Sequence, residues 1–100
     1  MTEINLSDVL NEYLCFNTMR AASIKNYRAA VRYFLSSQAV NASDISVARI
    51  TPEHIAAWRD ELLNERGLSA TSYNNYRKHV SVVLNYAVKR GYIPANPFLL

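Results

Sequence analysis

The sequence predicts an all-α fold, four helices arranged as two hairpins, and three observations carry that prediction. Apolar residues recur at helical spacing in four separated stretches. The two glycines of the chain, Gly67 and Gly91, each follow a long helix-compatible stretch directly, where a left-handed residue beyond the last turn is wanted. One helix is also written twice. Counted from Ala21 and from Ala70, seven of fifteen paired positions are identical: Ala21/Ala70, Ser23/Ser72, Asn26/Asn75, Tyr27/Tyr76, Arg28/Arg77, Val31/Val80 and Leu35/Leu84.

The first helix is expected from about Ser7 to Thr18, burying Val9, Leu10, Tyr13, Leu14 and, last in the run, Phe16. The second runs from about Ala22 to Gln38 and buries Ile24, Tyr27, Val31, Phe34 and Leu35. Residues 39 to 51 read as a connection with room for a turn of helix; "ISVARI", from Ile45, looks strand-like but has no second strand to pair with. Thr51-Pro52-Glu53 supplies an N-cap, a proline at the first helical position and an early acid, so a third helix starts at Pro52 and runs to Glu65, burying Ile55, Trp58 and Leu62. Ser69 caps the fourth helix, about Ala70 to Arg90, whose buried positions are Tyr73, Tyr76, Val80, Val83, Leu84 and Ala87. The tail "YIPANPFLL" has two prolines, cannot prolong that helix, and reads as a docked extension or a linker. Short links make the first and second helices one hairpin and the third and fourth another, so the two echoing helices are equivalent members of similar hairpins.

Composition narrows the chemistry. No apolar run is long enough to cross a bilayer, and the acidic N-terminus "MTEINLSDVL" is unlike a secretory signal. A lone Cys15 cannot form an internal disulfide, and with two separated histidines no zinc spacing exists. The expectation is a single domain in the reducing cytoplasm, with no membrane partner, no metal and no cofactor. Paired carboxylates, a nucleophile motif and a glycine-rich phosphate loop are absent from the sequence. Tyr13, Tyr27, Tyr76 and Trp58 fall at core spacing and read as packing residues; His54 reads as a helix-end residue and His79 as a boundary residue. No active site is expected in this segment.

The net charge of +3 is unevenly distributed. Residues 1–19 carry −3, 20–38 carry +4, 39–67 carry −2 and 68–100 carry +4. The two echoing segments therefore hold +8 against −5 elsewhere, the footprint of a face that meets a polyanion. On a helical projection, Lys25, Arg28 and Arg32 form a stripe beside the apolar arc of the second helix; Asn74, Arg77 and Ser81 hold the corresponding stripe of the fourth, flanked by Lys78. Arg and Lys neutralise phosphates, Arg can grip guanine with two hydrogen bonds, and Asn can do the same for adenine. Ser23, Ser69, Thr71 and Ser72 gather at the helix starts, where hydroxyls and free N–H groups hold phosphate oxygens.

Taken in order, "LNEYL", "SIKNYRAAVRYFL", "ITPEHIAAWRDELL" and "GLSATSYNNYRKHVSVVLNYAVKRGYIPANPF" resemble the N-terminal core-binding domain of the tyrosine recombinases, or phage integrases, over nearly the whole chain. The last stretch is the most specific, with its capping Ser, long helix, Lys-Arg-Gly turn and Asn-Pro-Phe exit. The resemblance implies a SAM-like four-helix bundle over residues 1–93, forming half of a clamp on double-stranded DNA with its second and fourth helices crossing in the major groove, and residues 94–100 opening a linker to a C-terminal catalytic domain. The implied contacts are Ser23, Lys25 and Arg28 on the second helix, Ser69, Thr71, Asn74, Arg77 and Lys78 on the fourth, and Arg20 and Arg32 as outer phosphate contacts. It further implies other recombinase protomers as partners, association with the nucleoid when bound, and cleavage by an Arg, a Lys, a His-x-x-Arg pair and a Tyr in the second domain. Neither His54 nor His79 is followed at the third position by Arg. One departure stands out: the family usually places a small residue where Arg20 lies, so the start of the second helix is set less firmly than that of the fourth. The competing reading is a helical protein–protein interaction module, whose mark would be an exposed apolar patch around Tyr92, Ile93, Phe98 and Leu99.

Overall fold

In the computed structural model, which describes residues 4–17 and 20–99, four helices surround one core. They are α1 (Leu6–Phe16), α2 (Ala21–Ser36), α3 (Pro52–Asp60) and α4 (Ala70–Lys89). Single 3-10 turns occupy Val47–Arg49 and Pro97–Leu99. The predicted end of the first helix at Thr18 lies outside the described residues.

The helix starts follow their sequence signals. Thr51 and His54 form a reciprocal capping box: the His54 N–H donates to Thr51 Oγ1 (3.3 Å) and the Thr51 N–H to His54 Nδ1 (3.1 Å). Ser69 caps α4, its Oγ accepting the Ser72 N–H at 3.2 Å. At the far end of α4, Gly91 takes φ +78°, with Gly91 N–H bonded to Val88 O and Tyr92 N–H to Ala87 O, the paired bonds of a Schellman stop. The third helix differs from its expected form. Beyond Asp60 it widens into a π turn over Glu61–Glu65, marked by Arg66 N–H donating to Glu61 O. The widening keeps consecutive residues Glu61 and Leu62 both buried, and Glu61 Oε1 accepts the Gln38 N–H at 2.7 Å, tying this helix to the end of α2.

The core centres on Trp58, fully buried and edge-on to Phe34 at 5.0 Å, with Tyr33 and Tyr73 beyond. It draws on α2 through Val31, Phe34 and Leu35, on α3 through Ile55, and on α4 through Val80, Val83, Leu84 and Ala87. From α1 it takes Leu6, Val9 and Leu10. Phe16, expected to be buried, is 74 % exposed: it ends α1 on the rim of a groove lined also by Val82 and Lys89. α4 packs on both α1 and α2, so the echoing helices are direct neighbours. Tyr27 meets His79 at 4.7 Å and Tyr33 meets Tyr76 at 5.0 Å; α2 residue numbers rise as α4 numbers fall, which makes the crossing antiparallel.

One further segment departs from the reading above, and the tail takes the first of the two forms expected of it. "ISVARI" does find a partner: Leu6 N–H donates to Ile45 O (2.8 Å) and Val47 N–H to Ile4 O (2.9 Å), an antiparallel bridge to the chain entering α1. The tail after Tyr92 docks on the helices, with Ile93, Asn96, Pro97 and Phe98 buried. Asn96 is its anchor. Its Nδ2 donates to Ser81 O, Ser81 Oγ and Asn85 Oδ1, while its Oδ1 accepts the Phe98 N–H.

Candidate nucleic-acid interface

The stripe predicted on α2 is present as a surface. Lys25, Arg28 and Arg32 line one groove of about 420 Å³ together with Ala21, Ile24 and Ala29. All three cations are exposed. Lys25 and Arg32 make no hydrogen bond or ion pair within the described residues, whereas Arg28 donates to the neutral Asn11 Oδ1 of α1 at 3.1 Å. Arg20 is exposed at the N-cap of α2 and supplies no side-chain cap, in keeping with the missing small residue. Ser23, in the first turn, is half-buried.

On α4 the echo is imperfect. Ser69, Thr71, Asn74 and Lys78 are exposed, but Arg77 is half-buried. Its guanidinium donates to Phe98 O at 3.4 Å and lies 5.9 Å from the Phe98 ring centre. Ser81, expected beside it on an open stripe, is buried under Asn96. The difference between Arg28 and Arg77 is thus one of neighbour: the first leans on α1, the second on the docked tail.

A groove of about 400 Å³ runs where α2 and α4 cross, lined by Asn26 and Ala29 from one helix and Ser72, Asn75, Tyr76 and His79 from the other. It shares Ala29 with the basic groove, so the two are continuous across α2. His79 donates through Nδ1 to Asn75 O at 2.6 Å, since a carbonyl can only accept, and its Nε2 has no hydrogen-bond partner among the described residues. Sequence reasoning left Asn26 and Asn75 off the list of contacts. The signal was available, because identity at a polar echo position has no packing reason, unlike Val31/Val80 or Leu35/Leu84.

No acid lines either groove. Asp60, Glu61 and Glu65 line a groove at the end of α3, Glu61 paired with Arg66 at 3.4 Å. Glu12 accepts from Tyr92 and Tyr86 and pairs with Arg90 at 2.9 Å, fastening α1 to the end of α4; the Tyr92 hydroxyl first, then Tyr86 and Arg90, hold its carboxyl below the usual carboxylate value. Burial, with the neighbouring Tyr13, pushes the Tyr27 phenol up to about 12. Neither described ion pair takes a cation from the list of expected contacts. Among the described residues no cluster of His, Cys, Asp or Glu could hold a metal, and no helix is long and apolar enough to cross a membrane.

Repeated helices that cross beside a groove lined by three cations and no acid define a class of small all-α module with a basic groove. The chain belongs to the family described as the phage integrase SAM-like domain, which matches residues 5–99. It is 32% identical over 90 residues to a putative tyrosine recombinase XerC of Pseudomonas aeruginosa, an alignment covering 87% of this chain and 20% of that protein. The chain thus spans about a fifth of the length of that relative. The likeness to a tyrosine-recombinase SAM-like domain drawn from the sequence is shown by these two matches. No solved structure gives a significant match.

Proposed function

We propose that this chain is the core-binding domain of a site-specific tyrosine recombinase and clamps duplex DNA through α2 and α4 during integration or recombination. The observation that carries the proposal is the groove of Lys25, Arg28 and Arg32, three exposed cations with no acid paired to them. Such a groove follows a phosphate backbone, and each contact releases condensed counterions. Arg28 has only a neutral amide to give up on meeting a phosphate. Arg20 stands at the start of the same helix, and Ser23, beside it, offers a hydroxyl. From α4, Lys78 supplies a further cation, while Ser69, Thr71 and Asn74 offer neutral hydrogen-bonding groups. Arg77 joins only by releasing the Phe98 carbonyl.

In this reading residues 1–93 form the DNA-binding unit and 94–100 lead toward a catalytic domain in which strands are broken and rejoined; the present segment holds DNA without cutting it. Its partners are double-stranded DNA, that catalytic domain and other recombinase protomers, and it works in the cytoplasm on the nucleoid. Fluorescence anisotropy with labelled duplexes of about 30 base pairs tests the proposal. Binding that weakens steeply with salt supports it, and no binding at low salt refutes it.

The competing interaction module loses its expected surface, because Ile93 and Phe98 are buried and Tyr92 is half-buried, leaving Leu99 exposed alone. What favours it instead is Phe16, exposed beside the groove formed with Tyr13, Val82 and Tyr86. Self-association in light scattering that Phe16→Ser abolishes would support that second reading.

A further inference from the structure

The groove at the crossing of α2 and α4 differs in chemistry from the basic groove beside it. Its walls carry no Lys, Arg, Asp or Glu. They carry two carboxamides, a hydroxyl and an imidazole, groups that both donate and accept. Asn26 and Asn75 are an identical pair of the echo, they are exposed, and neither side chain has a hydrogen-bond partner within the described residues. No core requirement explains their identity, and neither caps a helix. They also face one another's helix across a single crossing, so they meet whatever lies over it together.

We infer that this groove is the base-reading part of the interface, with Asn26 and Asn75 each presenting a carboxamide to an adenine edge in the major groove while the adjoining cations hold the flanking phosphates. The inference rests on the DNA-binding reading above. Charge separates the two tasks: phosphates go to the groove with three cations, and a neutral groove with paired donors and acceptors suits base edges, which display both. Asparagine matches adenine because its amide oxygen accepts from N6 and its NH2 donates to N7. His79 is held against the groove wall by its bond to Asn75 O and by the Tyr27 ring edge, which leaves its Nε2 as an additional hydrogen-bonding group. Ser72, whose Oγ accepts from the Ser69 hydroxyl, keeps only its own O–H to donate and so cannot make the paired contact that a carboxamide makes.

The test is selection from a randomised duplex library by the 100-residue chain, followed by anisotropy on selected and scrambled duplexes. The wild type is expected to enrich adenine at two positions. Asn26→Ala and Asn75→Ala should each erase one of them, losing roughly 5- to 150-fold on the selected duplex, the worth of one bidentate contact. Scrambled duplexes should bind the variants as they bind the wild type. Both residues are exposed, so circular dichroism should be unchanged. Lys25→Ala, by contrast, should weaken every duplex alike. If the asparagine variants keep the wild-type preference, or lose affinity equally on all duplexes, base reading here is overturned while DNA binding stands. If the wild type binds no duplex, both fall.

Discussion

Replacing Lys25 with Ala isolates the electrostatic half of this account. Of the six cations expected at the interface, Arg20, Lys25, Arg28, Arg32 and Lys78 are exposed, and only Arg77 is half-buried and occupied. Five phosphate contacts set a slope of about −4.5 for log affinity against log salt, so raising salt from about 50 to 200 mM should weaken binding roughly 500-fold. Without Lys25 the slope becomes about −3.6 and the same change costs roughly 150-fold. Lys25 is exposed and makes no hydrogen bond or ion pair within the described residues, so helicity and thermal stability should not move. Anisotropy titrations at four or five salt concentrations read both slopes directly. A wild-type slope shallower than about −2, or a variant slope equal to the wild type, would refute the assignment of this groove to phosphate.

Three further outcomes follow from the packing. Phe98→Ala removes a buried ring that touches Phe34 and lies under Arg77, and should cost about 3 kcal/mol, lowering the melting temperature by roughly 12–24 °C, whereas Leu99→Ala, at an exposed site, should change it little. Because the Glu12 carboxyl is held below its ordinary value of 4.5, its contribution is full above that pH and lost as pH falls through the folded value; Glu12→Gln should flatten the acid limb of a pH–stability curve. Ultraviolet titration should find the Tyr27 phenol ionising only near pH 12, so Tyr27→Phe should shrink the late phase to which Tyr73 and Tyr86, also raised, contribute, and wild-type stability should fall as pH climbs past about 10, where unfolded tyrosine ionises first.

The helices were legible because their signals are local. Caps at Thr51 and Ser69, stops at Gly67 and Gly91, and helical spacing of Ile55, Trp58 and Leu62 all lie within a few residues of what they determine. What escaped was non-local. Glu61 looks like a surface acid in sequence, yet it is buried because a backbone N–H at the end of α2 needs an acceptor there. Asn96 is likewise a loop polar residue that becomes a buried anchor, and through it Ser81 and Arg77 are drawn away from the open face. Phe16 fits the spacing of its helix but lies where no described element covers it. On the candidate interface, α2 was legible as a cationic stripe, since no described residue covers Lys25, Arg28 and Arg32. Half of the α4 stripe was not, because the tail that covers it lies some 20 residues further along the chain.

The central claim is that the crossing of α2 and α4, with the basic groove beside it, is the surface on which duplex DNA lies. Titrating the isotopically labelled chain with a short duplex and following backbone amide resonances tests it residue by residue. The account predicts shifts gathered on residues 20–32 and 69–79, with Asn26, Asn75 and His79 moving alongside Lys25 and Arg32. Shifts centred instead on Phe16 and the far end of α4, or spread over the acidic groove of Asp60 and Glu65, would contradict it.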